Sequence, residues 1–233
     1  MAGRAVQRPP TGSRVFGNLI GGRPCLDFVN TVGGRVSRPG RARKRDYRDH
    51  VLIERLGSYD ALVAWAELAG LFSAKEGGWL RDAAARHPNL AGAVLARALE
   101  LREAIYRILR ASQQGWHPDA DDLAVLNREL RGARLHERLG GVPPLVWEWE
   151  GSDSDLDQVL WPVLRDAAEL LTSDALSRLG QCAGHECGWL FLDTSRGHRR
   201  RWCDMADCGN RAKVRRFRQR RGSKSMQGAT RQS

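Results

Sequence analysis

No stretch of about 18 consecutive apolar residues occurs in this chain of 233, which excludes a membrane-spanning helix. The first residues, MAGRAVQRPPTGSR, carry arginines without the apolar run that a secretory signal needs, so a cytoplasmic chain is expected. Internal repeats are missing. So are a nucleophile elbow, a phosphate-binding glycine loop and an open three-ligand metal site, the usual marks of an enzyme. Cysteine is scarce and unevenly placed, with four of the five inside the 27 residues from Cys182 to Cys208. Acidic charge is short as well: 27 Asp and Glu face 38 Lys and Arg, and the balance of +11 points to a polyanionic partner. What is present is a hydrophobic fraction of 42%, enough for a packed core in one large or two modest domains.

The basic charge sits at the two ends. Residues 1–50 carry +8, residues 51–195 carry −8 and residues 196–221 carry +9. A slightly acidic globular body is therefore flanked by cationic segments, and the C-terminal one follows directly on the cysteine cluster. Residues 1–14 and 222–233 read as flexible tails. Residues 33–50, GGRVSRPGRARKRDYRDH, read as an exposed loop whose basic part spans 35–48.

Between these ends the apolar period is helical. Leu62, Trp65, Ala66 and Ala69 share one face of a helix beginning at Ser58 and ending at Gly70. Ser73 with Glu76 forms a capping box for the next helix, which stops before Pro88. A long amphipathic helix covers 90–113, another follows Pro118, and a further one covers about 156–172. Residues 133–150 alternate around Gly-Gly and Pro-Pro, as a β-hairpin would. The fold expected is mainly α: a helical domain over 15–173 with one small hairpin, then a treble-clef-like zinc finger of β-hairpin and helix over 178–221.

The cluster Cys182, Cys187, Cys203 and Cys208 is spaced C-x4-C-x15-C-x4-C. Two close pairs on separate loops suit tetrahedral Zn2+, and four protein ligands leave no open position, so a single structural zinc is expected. Two disulfides, free thiols or an iron–sulfur cluster are the competing readings. A ligand role for His185 would displace one of the four cysteines, and Cys25 reads as a small buried residue. Residues 189–192 are expected to form a strand that returns through Arg199 to Trp202, with Asn210 capping a helix to about Arg221. On that helix Val214 and Phe217 form an apolar stripe for the finger hairpin. Arg211, Arg215 and Arg218 form one cationic rail, and Lys213, Arg216 and Arg220 a second, with Ala212 and Gln219 between. With Arg199 and Arg200, these residues are the candidates for contact with nucleic acid, and Gln219 or Arg215 the candidates for reading bases.

The segment Cys182 to Arg221, including Cys208-Gly209-Asn210-Arg211, resembles the CGNR zinc finger, and CLDFVNT at Cys25 to Thr31 with the helices after it resembles the ABATE domain. Together the resemblances span roughly residues 15–221. They imply a zinc-binding transcription regulator, described as stress-related, that binds DNA, with Cys182, Cys187, Cys203 and Cys208 as the metal ligands.

The leading functional reading is therefore a bacterial, DNA-binding regulator whose N-terminal domain senses a small-molecule effector or forms a homodimer. Asp27, Asn30 and Thr31 interrupt an apolar stretch; they are either hydrogen-bonded internally, the favoured reading, or the lining of an effector pocket. An RNA- or ribosome-associated protein using the same basic surface is the alternative. An enzyme with Asp27 and His50 or His87 as acid and base lacks any supporting motif.

Overall fold

A computed structural model describes residues 16–36, 50–51, 53–152 and 154–229, with backbone only at Val36, at His50 and from Arg220 onward. The tail at 1–14 and the basic loop beyond Val36 thus lie outside the described residues. In order, the elements are α1 (Pro24–Val29), β1 (Arg35–Val36), β2 (His50–Val51), α2 (Tyr59–Leu68), α3 (Ala74–Arg86), α4 (Pro88–Gln113) and α5 (Ala120–Arg134). There follow β3 (Glu137–Gly140), β4 (Val146–Trp149), α6 (Trp161–Leu171), β5 (Leu179–Gln181), β6 (Leu190–Leu192) and α7 (Asn210–Ala229), with 3-10 turns over Leu156–Leu160 and Asp174–Arg178. The chain is mostly helical, and among the described residues there are three two-stranded antiparallel sheets.

Local chemistry sets most boundaries. The Ser58 hydroxyl accepts from Ala61 N–H at the start of α2, and Gly70, at φ +70°, lets the chain turn after it. The capping box forms as expected: Ser73 accepts from Glu76 N–H while the Glu76 carboxylate accepts from Ser73 N–H. Pro88 opens α4, where a missing N–H costs nothing. This 26-residue helix is the central strut and buries Val94, Ala98, Leu101, Ile105, Ile108 and Leu109. The apolar stretch of CLDFVNT becomes α1, which packs on α4 and α6 and buries Leu26, Phe28 and Val29 completely. An Asp166 oxygen accepts from Cys25 N–H at 2.8 Å, supplying the cap that α1 lacks in its own sequence. Burial pushes the Cys25 thiol well above its ordinary pKa, so it is a neutral core group.

Charge is also built into the interior. Arg102, 2% exposed, reaches both Glu54 oxygens at 2.7 and 2.6 Å and Glu103 at 3.0 Å. Arg35, expected in an exposed loop, is 3% exposed, holds Glu103 through two nitrogens and lies 3.9 Å from the Tyr106 ring centre. Nothing in the local sequence separates it from the arginines that follow.

Three expectations for the C-terminal module change. β6 pairs with β5, Leu179 opposite Leu192, and not with Arg199–Trp202. The return segment instead bonds through Ala183 N–H to Arg201 C=O at 2.8 Å. Second, Asn210 is the first residue of the terminal helix and not its cap. Asp204 accepts from Ala206 N–H and opens a wide turn over Met205–Gly209 that carries Cys208 into α7, while the Asn210 amide donates back to Ala206 C=O. Third, α7 continues to Ala229 and does not end near Arg221.

Burial alone would raise the Glu103 pKa, yet hydrogen bonds and charge from Arg35 and Arg102 outweigh it and hold this carboxyl below its ordinary 4.5. A lowered carboxylate pKa stabilises the fold fully above the unfolded value and stops doing so as pH falls through the folded one. Glu103→Gln, which mimics the protonated group, should cost about 3 kcal/mol near neutrality. Denaturant titrations should show that deficit shrinking below about pH 4.5. A deficit that does not change with pH would remove the charge from the account.

Candidate metal centre and its cationic flank

The four sulfurs of Cys182, Cys187, Cys203 and Cys208 converge, all within 4.8 Å of one another. Cys187 and Cys203 are 3.6 Å apart and Cys203 and Cys208 3.5 Å, close to the edge of about 3.8 Å for a tetrahedron with Zn–S of 2.3 Å. All four are buried and none is in a disulfide. Cys182 and Cys187 lie in the loop of the β5–β6 hairpin, Cys203 precedes the wide turn and Cys208 lies within it. A Cβ at Gly184 would stand 3.0 Å from the Cys208 sulfur and 3.3 Å from that of Cys182, so a side chain there would press on the sulfurs and glycine lets the loop close over the centre without displacing them.

Donors surround the sulfurs. Gly184 N–H and Cys203 N–H reach Cys182 Sγ at 3.4 and 3.2 Å, and Arg211 reaches Cys208 Sγ at 3.1 Å. The sulfurs share charge unevenly. Hydrogen bonds from Cys187 and Cys203 push the Cys182 thiol down to about 2, and in return hydrogen bonding to the Cys182 sulfur pushes the Cys187 thiol up to about 12 and drives Cys203 in the same direction, a penalty on ionising those two. A dication at the common centre removes that penalty, and the donor set fits one Zn2+ and leaves it no open position. His185 is exposed and faces Glu186 at 3.6 Å, while His198 Nδ1 lies 3.1 Å from Asp193 C=O. Neither histidine is in the group.

Residues 22–174 match the ABATE family model, described as "Putative stress-induced transcription regulator", and residues 178–221 match that of the CGNR zinc finger. The chain belongs to the ABATE family. Neither description names a catalyst, and no curated protein matches the chain.

The ABATE domain is joined to the finger through the motif that was the candidate pocket. The Asn30 amide donates to Leu190 C=O at 2.8 Å and accepts from Leu190 N–H at 2.9 Å, so one side chain completes both backbone groups of β6. Thr31 donates to Phe28 C=O at 2.6 Å. Burial pushes Asp27 up to about 6, and it accepts from Gly21 N–H at 2.8 Å. The space beside these three is about 10 Å³, room for at most one water. Trp189 Nε1 donates to Val32 C=O at 3.0 Å, and Arg35 N–H to Cys187 C=O at 3.1 Å. Leu179, Leu190 and Leu192 belong to the ABATE core, while Phe191 points to the sulfurs.

That division settles two candidates on the finger. With the hairpin turned toward the ABATE core, the stripe of Val214 and Phe217 is not covered by it, and both remain about half exposed. Arg200 is half-buried. Its guanidinium lies 4.2 Å from the Phe191 ring centre and donates to the carbonyls of Leu192, Ile20, Trp202 and Cys203. Four carbonyls hold it against the body. The signal that could have marked the turn is Asp193-Thr194-Ser195: the Asp193 carboxylate accepts from Ser195 N–H and Arg200 N–H at 2.9 and 2.8 Å. Arg211 divides itself between Asp207 and the Cys208 sulfur. By contrast, the side chains of Arg199, Lys213, Arg215, Arg216 and Arg218 are exposed and make no ion pair among the described residues. Gln219 is exposed, and the Arg220 side chain lies outside the described residues. Of the residues weighed for acid–base work, Asp27 is bonded as above, His87 sits at the α3–α4 junction, and the His50 side chain is outside the described set.

Elemental analysis should return one zinc per chain, and Cys203→Ser should lose it. Because the finger hairpin is part of the ABATE core, metal loss should lower a single thermal transition of the whole chain; two separate transitions would contradict the shared core. Asn30→Ala, which strands two buried backbone groups, should cost about 2–3 kcal/mol in denaturant unfolding.

Proposed function

We propose that the chain is a zinc-dependent, DNA-binding transcription regulator of the cytoplasm, with α7 as the element that docks on duplex DNA. The observation that carries this reading is the row of cations on α7: Lys213, Arg215, Arg216 and Arg218 stand exposed, without an ion pair among the described residues, on a helix whose root is tied to the metal centre. Surface arginines of a soluble helix usually meet i, i+4 acids, yet no acidic residue follows Asp207 in this chain. A cleft of about 570 Å³ between the loop 183–186 and Arg211, Arg215 and Arg216 gives a phosphate backbone somewhere to lie. The acidic body, −8 over residues 51–195, repels a polyanion and so turns the finger toward it.

Zinc makes the helix a rigid probe, because Cys208 lies in the turn that starts it. The ABATE domain acts as the sensing or dimerising part, and its hold on β6 through Asn30 is the route by which a change there reaches the finger. Two of the finger's aromatic residues that an RNA reader could offer to bases are engaged elsewhere, Trp189 bonding to Val32 and Trp202 packing against the sulfur cluster, while Phe217 is exposed.

With about five phosphate contacts, log affinity for duplex DNA should fall with log salt at a slope near −4.5. Fluorescence anisotropy across a salt series measures it. Arg215→Ala with Arg218→Ala should weaken all sequences alike and make the slope shallower by about 2, while Arg200→Ala should act through stability. Salt-insensitive binding, or structured RNA outcompeting duplex DNA, would overturn the reading.

A further inference from the structure

Two depressions run along α7. One is the cleft of about 570 Å³ between the helix and the loop 183–186, and the other is an open trough of about 640 Å³ bordered by Asn210, Val214 and Arg218. Arg211, Arg215 and Gln219 border both and form the ridge between them. At about 3.6 residues per turn, the helix residues lining the cleft and those lining the trough centre on directions roughly a quarter turn apart. A helix lying in the major groove of a duplex has the same relation to its surroundings. The base edges face one side of it, and a phosphate strand stands about a quarter turn to either side. With one strand in the cleft, the trough faces the bases, and Lys213 falls on the flank of the second strand.

The trough has a mixed chemistry. Val214 is 49% exposed there, between the cations Arg211, Arg215 and Arg218. The Asp207 carboxylate, which also borders the trough, is held by Arg211 at 3.0 Å. A β-branched apolar side chain is a poor choice for a solvent-facing helix position, where small or straight-chain residues lose less freedom. A partner that covers Val214 has to offer it an apolar group while presenting negative charge to the arginines around it. The 5-methyl group of thymine, standing in the major groove between two phosphate strands, has that combination. An anionic lipid surface needs a broader apolar face than Val214 and Phe217 provide. The major groove of A-form RNA is too deep and narrow for side chains to read.

We propose that Val214 is a base-reading residue of α7, packing on the 5-methyl group of thymine in the major groove, so that the finger prefers sites with an A·T pair at that position. The arginines around it hold the strands and carry no preference, which leaves the choice of sequence to the apolar contact. This inference rests on the docking of α7 on duplex DNA.

The full-length, zinc-loaded chain is first used to select sites from a random duplex pool. Anisotropy then compares the selected duplex with the same duplex carrying deoxyuridine for thymidine, which lacks only the methyl groups. The wild type should bind the deoxyuridine duplex about fourfold more weakly for each contacted methyl. Val214→Ser should bind the thymidine duplex about fourfold or more weakly than the wild type and bind both duplexes alike, with the salt slope, helical content and one zinc per chain retained. Arg215→Ala should weaken binding to both duplexes and keep the difference between them. Equal wild-type affinity for the two duplexes, a pool without an enriched site, or a Val214→Ser variant that still tells them apart would overturn the inference while leaving salt-dependent DNA binding in place. No binding to any duplex, or tighter binding to phosphatidylserine vesicles than to the selected duplex, would overturn both.

Discussion

Everything at the C-terminal end depends on four sulfurs sharing a centre that thiols alone would not choose. Packed within 4.8 Å, they favour the ionised form of Cys182 and oppose that of Cys187 and Cys203, and the loops that carry them have little hydrophobic core of their own. The surrounding structure is arranged for the ionised, metal-bound form: backbone N–H groups point at Cys182, Arg211 lies beside Cys208, and Gly184 leaves space where a side chain would intrude. One metal ion thereby fixes the start of α7 and the direction in which its cations face.

The ABATE domain supplies the rest of that rigidity. Asn30 acts as a short extra strand beside β6, satisfying both backbone groups of Leu190, and Arg35 joins the carbonyl of Cys187 to a network of Glu103, Arg102 and Glu54 that is buried at its arginines and reaches the surface at Glu54. The metal centre is thus continuous, through hydrogen bonds and ion pairs, with the central helix α4. A disturbance of α1 or α4 has a physical path to the finger, and the path consists of buried polar contacts that are costly to break singly.

What could be read in the sequence was what is decided locally. The Ser73–Glu76 box, Pro88 at a helix start, the alternation around 133–150 and the cysteine spacing each hold their information within a few residues. The pairing of β6 was not local: the strand Leu190–Leu192 has apolar residues on both faces because it lies between two cores, and nothing adjacent says that its partner precedes the cysteine loop. Arginine was the other difficulty. Arg35, Arg102 and Arg200 are written with the same letter as Arg215, yet three are enclosed by carboxylates or carbonyls and one stands in solvent. Charge counts sum over both kinds, so the cationic surface is smaller than the composition suggests. Asn210 matched a cap by type, but Asp204 takes that place because the cysteine turn is itself helical.

The placement of Leu179, Leu190 and Leu192 bears on how such a chain can be cut and recombined. These leucines fill the domain that precedes them, so a fragment ending after α6 would carry an open hollow, and an excised finger would show a greasy flank to water. Grafting this finger onto another protein therefore means carrying α1 with it, and the two parts have to be inherited as a single piece of architecture.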